Sequence, residues 1–213
     1  MKLFLSSQGF GNHLDRLQKM VGQNDRRVLF VDNAKDEGSA DDRRAHTLEK
    51  KKEFEEAGFD FFELDLRDYF GSPHTLKPLV EAAPFIWVSG GNTFVLRRAF
   101  KYSGFDTLLQ NALKSTEMVY GGSSAGSIVM TKTLRGTEYG DNMYAVPDSY
   151  KEEIVWDGLG MVYPQLVPHY QSDWFGDASQ AMIDYFEQND IRYETLKDGE
   201  VYIVDGGIEE KLT

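Results

Sequence analysis

The chain has 213 residues, 41% of them hydrophobic, enough to bury one substantial core as a single domain over 1–213. It carries 35 acidic against 23 basic residues, a net charge of −12, which argues against the phosphate contacts of nucleic-acid binding. Cysteine is absent, which excludes disulfides, thiolate metal sites and a cysteine nucleophile. No apolar run approaches the length of a membrane span. The opening Met1-Lys2-Leu3-Phe4-Leu5-Ser6-Ser7 is too short in apolar character for a signal peptide. The expectation is a soluble, cytoplasmic protein with no membrane partner, no metal constellation and no cofactor. The aromatic residues Trp87, Trp156 and Trp174 are compatible with a homo-oligomer without fixing its state.

Residues 2–6 read as a first strand, and Gln8-Gly9-Phe10-Gly11-Asn12 as a turn into a helix through Val21. The run 27–32 is almost continuously apolar, as in a strand covered on both faces. After a polar loop over 36–44, the charged stretch 44–57 reads as a solvated helix stopped by Gly58. A third strand is expected over 59–64, with Phe59, Phe61 and Phe62 in the core. A short helix ends near Ala82, and a fourth strand covers 85–88. Ser89-Gly90-Gly91-Asn92-Thr93 leads into a helix holding Arg97 and Arg98, and a further helix spans 105–114. This alternation predicts a parallel α/β sheet with helices on both faces, whose ligands bind beyond the carboxyl ends of the strands.

From 131 to 160 the chain is polar and irregular. A strand is then expected over 161–167, running into Pro168-His169-Tyr170, and a helix over 175–186. The end reads as a β-hairpin, 193–196 paired with 201–204 through a turn at Asp198-Gly199.

One stretch carries chemistry. Met118-Val119-Tyr120 is followed by Gly121-Gly122-Ser123-Ser124-Ala125-Gly126-Ser127, a strand, a tight turn and a helix. It fits the G-x-S-x-G pattern in which a serine sits on a sharp turn and projects above the sheet. A small-residue turn between strand and helix is also common in α/β proteins without any nucleophile, so the serine needs a base. Of four histidines, His13 and His46 fall on polar helices and read as surface residues, and His74 follows Ser72-Pro73 at a helix start. His169 ends an apolar strand, where a sheet presents functional side chains. The Ser89-Gly90-Gly91-Asn92 turn lacks the nucleotide-binding glycine patterns. An amide from Gly91 paired with that of Ala125 would instead make a two-donor oxyanion hole.

In these motifs, Val88-Ser89-Gly90-Gly91-Asn92-Thr93-Phe94, Gly122-Ser123-Ser124-Ala125-Gly126-Ser127, and 159–162 leading to Pro168-His169-Tyr170, the chain resembles the dipeptidase E and cyanophycinase family of serine peptidases. The motifs occur in the family's order and the resemblance covers essentially the whole chain. It implies a class I glutamine-amidotransferase-like (flavodoxin-like) α/β fold, a mostly parallel sheet sandwiched by helices, with serine where amidotransferases use cysteine. It also implies Ser124 as nucleophile, His169 as base, and Gly91 and Ala125 as oxyanion amides. For the acid, the resemblance points between serine and histidine, where Glu138, Asp141, Asp148, Glu152, Glu153 and Asp157 are available. An Asp-Met pattern falls nearest Asp141-Asn142-Met143, so Asp141 is expected, with Glu138 second.

The implied activity is serine-type hydrolysis of short peptides, aspartyl dipeptides among them, with Arg97, Arg98 or Arg135 as candidates for a substrate carboxylate. One rival is an α/β-fold esterase, which shares the serine motif and the order serine, acid, histidine. It is disfavoured by the 45 positions between Ser124 and His169 and by the lack of an HGGG-type loop. The other rival is a non-catalytic amidotransferase-like binding protein.

Overall fold

Strand residues alternate between two cores, and that alternation sets the architecture. In the computed structural model, which describes residues 1–213, Leu3 and Leu5 of β1 (Lys2–Ser6) pack in one core with Val31, Ile86, Val88 and Tyr120. Phe4 joins the other with Val28, Phe30, Phe85 and Trp87. These residues come from β2 (Arg27–Val31), β4 (Phe85–Val88) and β5 (Val119–Ser123), and successive side chains of a strand face opposite sides of the sheet. Helices α1 (Leu14–Val21) and α2 (Ala40–Glu56) cover the Phe4 side through Leu17, Met20 and Phe54. Helices α3 (Pro73–Glu81), α4 (Thr93–Ser103) and α5 (Phe105–Ser115) cover the Leu3 side.

The main sheet has seven strands in the order β3-β2-β4-β5-β1-β8-β9, with β3 at Asp60–Glu63, β8 at Val201–Asp205 and β9 at Ile208–Leu212. The pairings from β3 through β1 are parallel, whereas β8 pairs antiparallel with β1 and with β9. The order reverses between β2 and β4, and the carboxyl ends of β4, β5 and β1 lie side by side next to that point, where functional loops gather. No helix is long and apolar enough to cross a membrane.

Three local expectations change. Helix α2 begins at Ala40, inside the stretch read as loop, because Ser39 caps it by accepting from the Asp42 amide at 3.1 Å. Phe62 is 50% exposed, since β3 is an edge strand covered on one face only. The C-terminal hairpin exists, but its partners are β8 and β9, turning at Gly206-Gly207. Residues Tyr193–Thr195 (β7) pair instead in parallel with Gln165–Val167 (β6), a separate two-stranded sheet. The strand expected over 161–167 is therefore only its last three residues. Between Tyr193–Thr195 and β8, the chain over 196–200 crosses from one sheet to the other. α7 (Gly176–Gln188) follows β6 and packs Met182, Ile183 and Phe186 against Phe94, Leu134 and Val167.

Candidate active site

Ser124 stands between β5 and α6 (Ala125–Ile128) with φ 50° and ψ −108°, a conformation that a non-glycine residue holds only where its surroundings enforce it. The enforcement is visible. The Ser124 amide donates to the Ser6 carbonyl at 3.1 Å, and Ser127 Oγ reaches the carbonyls of Ser6 and Gly122, both at 2.8 Å. Gly126 packs so tightly on the Val88 carbonyl that any β-carbon there would strike it. The turn is thus pinned to the ends of β1 and β4, its neighbours in the sheet.

The second glycine-rich turn comes to meet it. A β-carbon added at Gly90 would lie 3.1 Å from Ser124 Cβ, so the loop after β4 abuts the loop after β5. Gly91 has φ 146° and lies directly against the Ala34 carbonyl, a position no side chain could share. Its amide makes no hydrogen bond within the protein. The Ala125 amide opens α6, where no preceding intrahelical carbonyl exists to accept from it. Gly91 lines the cavity that holds Ser124, and Ala125, next in the chain, is fully buried.

His169 follows β6 with φ 58°, a left-handed conformation that turns its ring back toward Ser124. Nε2 lies 3.0 Å from Ser124 Oγ, and Nδ1 lies 2.7 Å from an oxygen of Asp198. Ser7, just beyond β1, ties the two together: its hydroxyl donates to Asp198 at 2.8 Å and accepts from the His169 amide at 2.8 Å. Burial lowers the His169 pKa from 6.5, while the Asp198 carboxylate opposes that shift. The imidazole is therefore neutral at neutral pH, the form a base requires.

The acid facing the imidazole is Asp198, not Asp141. Asp141 accepts from the Thr93 amide at 2.8 Å, at the first turn of α4, and the neighbouring Asn142 carbonyl accepts from Asn92 at 2.9 Å. That tether holds the 137–143 loop against the start of α4, where Thr137, Gly140 and Asp141 line the cavity. Burial raises the Asp141 carboxyl to about 6. Glu138 makes no hydrogen bond to His169, whose Nδ1 is taken by Asp198. Sequence reasoning missed Asp198 by looking only between serine and histidine, and by giving Asp198-Gly199 to a hairpin turn. The available signal was an aspartate beside a glycine in a turn just before a strand that could join the sheet.

The arginines do other work. Arg97 binds Asp106 at 2.9 Å and the Asp157 carbonyl at 2.7 Å. Arg98 is fully buried and donates to the backbone carbonyls of Met143, Ala145 and Glu153 at 2.8 to 3.1 Å. Arg135 lies over the Trp156 ring at 4.6 Å. None of the three lines the serine cavity, which measures about 490 Å³. Its basic lining comes from Lys35, His46 and Lys50. His46 is no simple surface residue: its Nδ1 lies 2.9 Å from fully buried Asp32, which also accepts from Thr47 at 2.9 Å and from Ser89. Lys50 is paired with Glu53 at 2.6 Å, whereas Lys35 has no carboxylate within ion-pair distance.

A mostly parallel sheet between helices, with a hydroxyl, an imidazole and a carboxylate in line beyond the carboxyl ends of its strands, defines a hydrolase of the serine peptidase class. The model of peptidase family S51 matches residues 3–210, and the chain belongs to that family. Uncharacterized peptidase PM1590 of Pasteurella multocida is 26% identical over 186 residues, covering 87% of this chain and 84% of that one. Uncharacterized peptidase Lmo0363 of Listeria monocytogenes is 29% identical over 136 residues, 62% of each. Among solved structures, a peptidase E candidate from Listeria monocytogenes matches with a TM-score of 0.79 at 22% identity, over 99% of this chain and 97% of that one. A peptidase from an acI-B1 actinobacterium matches with a TM-score of 0.70 at 14% identity, over 100% and 93%.

Proposed function

We propose that this family S51 enzyme hydrolyses short peptides through a triad of Ser124, His169 and Asp198 and an acyl-enzyme. The observation that carries the reading is the unbroken line from Ser124 Oγ through the imidazole to the Asp198 carboxylate, at 3.0 and 2.7 Å. His169 Nε2 takes the hydroxyl proton as Ser124 Oγ attacks the peptide carbonyl. The amides of Gly91 and Ala125 receive the developing oxyanion, and losing one such donor raises the barrier by about 3 kcal/mol. His169 then gives its proton to the leaving nitrogen as the C–N bond breaks. Water, deprotonated by the same imidazole, cleaves the ester and returns the proton to Ser124. Asp198 holds Nδ1–H and balances the imidazolium charge.

An acidic first residue, aspartate above all, fits the cavity best. Lys35 and the Asp32-held His46 give its lining a basic side on a protein of net charge −12. A lysine without a carboxylate partner on the cavity wall attracts an anionic substrate group against such a background. The test is turnover of Asp-X and other X-Y dipeptides by wild type and Ser124→Ala, together with labelling of Ser124 by a fluorophosphonate. Turnover and labelling both lost in the variant support the reading. Turnover retained in Ser124→Ala refutes the nucleophile, and hydrolysis of simple esters but of no peptide refutes the substrate class.

A further inference from the structure

Trp174 is 64% exposed, yet it is anchored on both sides. Its ring centroid lies 4.4 Å from that of His169 and 5.4 Å from that of Phe175. Phe175 is fixed from behind, because it fills the place where a side chain on Gly140 would stand. The chain reaches this arrangement through two left-handed non-glycine residues, His169 and Gln171, which fold the segment back over the imidazole. Trp174 and Phe175 form a wall common to two cavities. One holds Ser124; the other is lined by Tyr139, Ala178 and Ala181, with Asp173 and Asp177 at its polar side.

We propose that Trp174 and this adjoining cavity bind the first residue of the leaving peptide, and that they select a large apolar side chain. The inference rests on the assignment of Ser124 as nucleophile and His169 as proton donor. Chemistry then fixes the direction of the substrate. The nitrogen that leaves must receive its proton from His169 Nε2, so the residue carrying that nitrogen lies on the imidazole side of Ser124. Trp174 is the exposed aromatic surface packed against that imidazole. Its face, with Tyr139, Phe175 and two alanines, offers apolar area to a large side chain. The carboxylates of Asp173 and Asp177 oppose an acidic one.

The experiment compares kcat/KM for four dipeptides that share one first residue and carry Phe, Leu, Gly or Asp second, in wild type, Trp174→Ala and Trp174→Phe. Wild type is expected to favour Phe and Leu over Gly by about tenfold, with Asp poorest. In Trp174→Ala the ratio of Phe to Gly falls below about threefold, and Trp174→Phe restores most of it. Equal use of Phe and Gly by wild type overturns the proposal. So does a Trp174→Ala enzyme that loses all four substrates by one common factor, since that is the signature of a residue that only supports His169. Failure of the peptidase reading looks different: no dipeptide is cleaved and the fluorophosphonate leaves Ser124 unlabelled. Calorimetric binding of the Phe and Gly peptides to Ser124→Ala, with and without Trp174→Ala, then decides. Tighter binding of the Phe peptide that disappears with Trp174 supports the subsite; equal affinities, or no binding, overturn it.

Discussion

Two histidines, each held by a carboxylate, line the same cavity, and only one of them reaches the Ser124 hydroxyl. His169 and Asp198 meet at 2.7 Å, and His46 and Asp32 at 2.9 Å, each through Nδ1. Nε2 of His169 faces Ser124 Oγ, whereas Nε2 of His46 has no protein partner. The acids differ as well. Asp198 sits in a partly exposed turn with Ser7 as its other partner, while Asp32 is fully buried and shared among His46, Thr47 and Ser89. An imidazole held by a carboxylate is thus a local construction with more than one use. What the second nitrogen faces decides between base and binding group.

The sharpest way to break the comparison is to neutralise each acid in turn. Asp198→Asn should lower kcat by about 10³- to 10⁴-fold, because the imidazole loses both its tautomer and its counter-charge. In the wild type, kcat/KM should fall as pH drops through the His169 pKa, which burial holds below 6.5. Protonation there removes the base, so the loss lies on the acid side. A profile whose acid limb sits well above pH 6.5 would sink that assignment.

Asp32→Asn should act mainly on stability. It disturbs a buried carboxylate with three partners, and we expect a loss of about 1 to 3 kcal/mol in denaturant titrations, with kcat within about tenfold of wild type. A smaller effect follows for His46→Gln: KM for peptides with an acidic first residue should rise about fivefold to tenfold while kcat barely changes. If kcat falls as it does in Asp198→Asn, the two pairs share one role and the distinction is lost.

Asp141 supplies the least effect. Its carboxyl is raised from 3.8 to about 6, so the folded chain holds that proton more tightly than the unfolded one. Stability therefore declines as pH rises from about 4 to about 6, and the deficit is complete above that window. Asp141→Asn removes the charge and should show a larger gain in melting temperature over wild type at about pH 7.5 than at about pH 4.5. Peptide turnover should stay within about tenfold of wild type, in contrast to Asp198→Asn.

Much of this was legible along the chain because it depends on near neighbours. The parallel core strands declared themselves as short apolar runs. Ser124 stood out because a turn from strand to helix demands small residues, and His169 because it ends an apolar strand. The hairpin misreading shows the limit. Residues 193–195 and 201–204 both look like strands, and nothing local says that the first pairs with β6 while the second pairs with β1. Asp198 was hidden in the same error, since a turn between paired strands gives an aspartate no reason to face a histidine 29 positions earlier.

The amino-acid sequence by itself determined the α/β alternation, the Ser124 turn, the glycine-rich turn at Gly90-Gly91 and the placing of His169 at a strand end. Each follows from backbone geometry and side-chain size over a few residues. Only the tertiary structure decided which carboxylate meets His169, the pairing of His46 with buried Asp32, and the exposed seat of Trp174 against the imidazole. Those depend on which strand ends lie side by side, and long-range pairing is set by the packing of the whole core rather than by any short stretch.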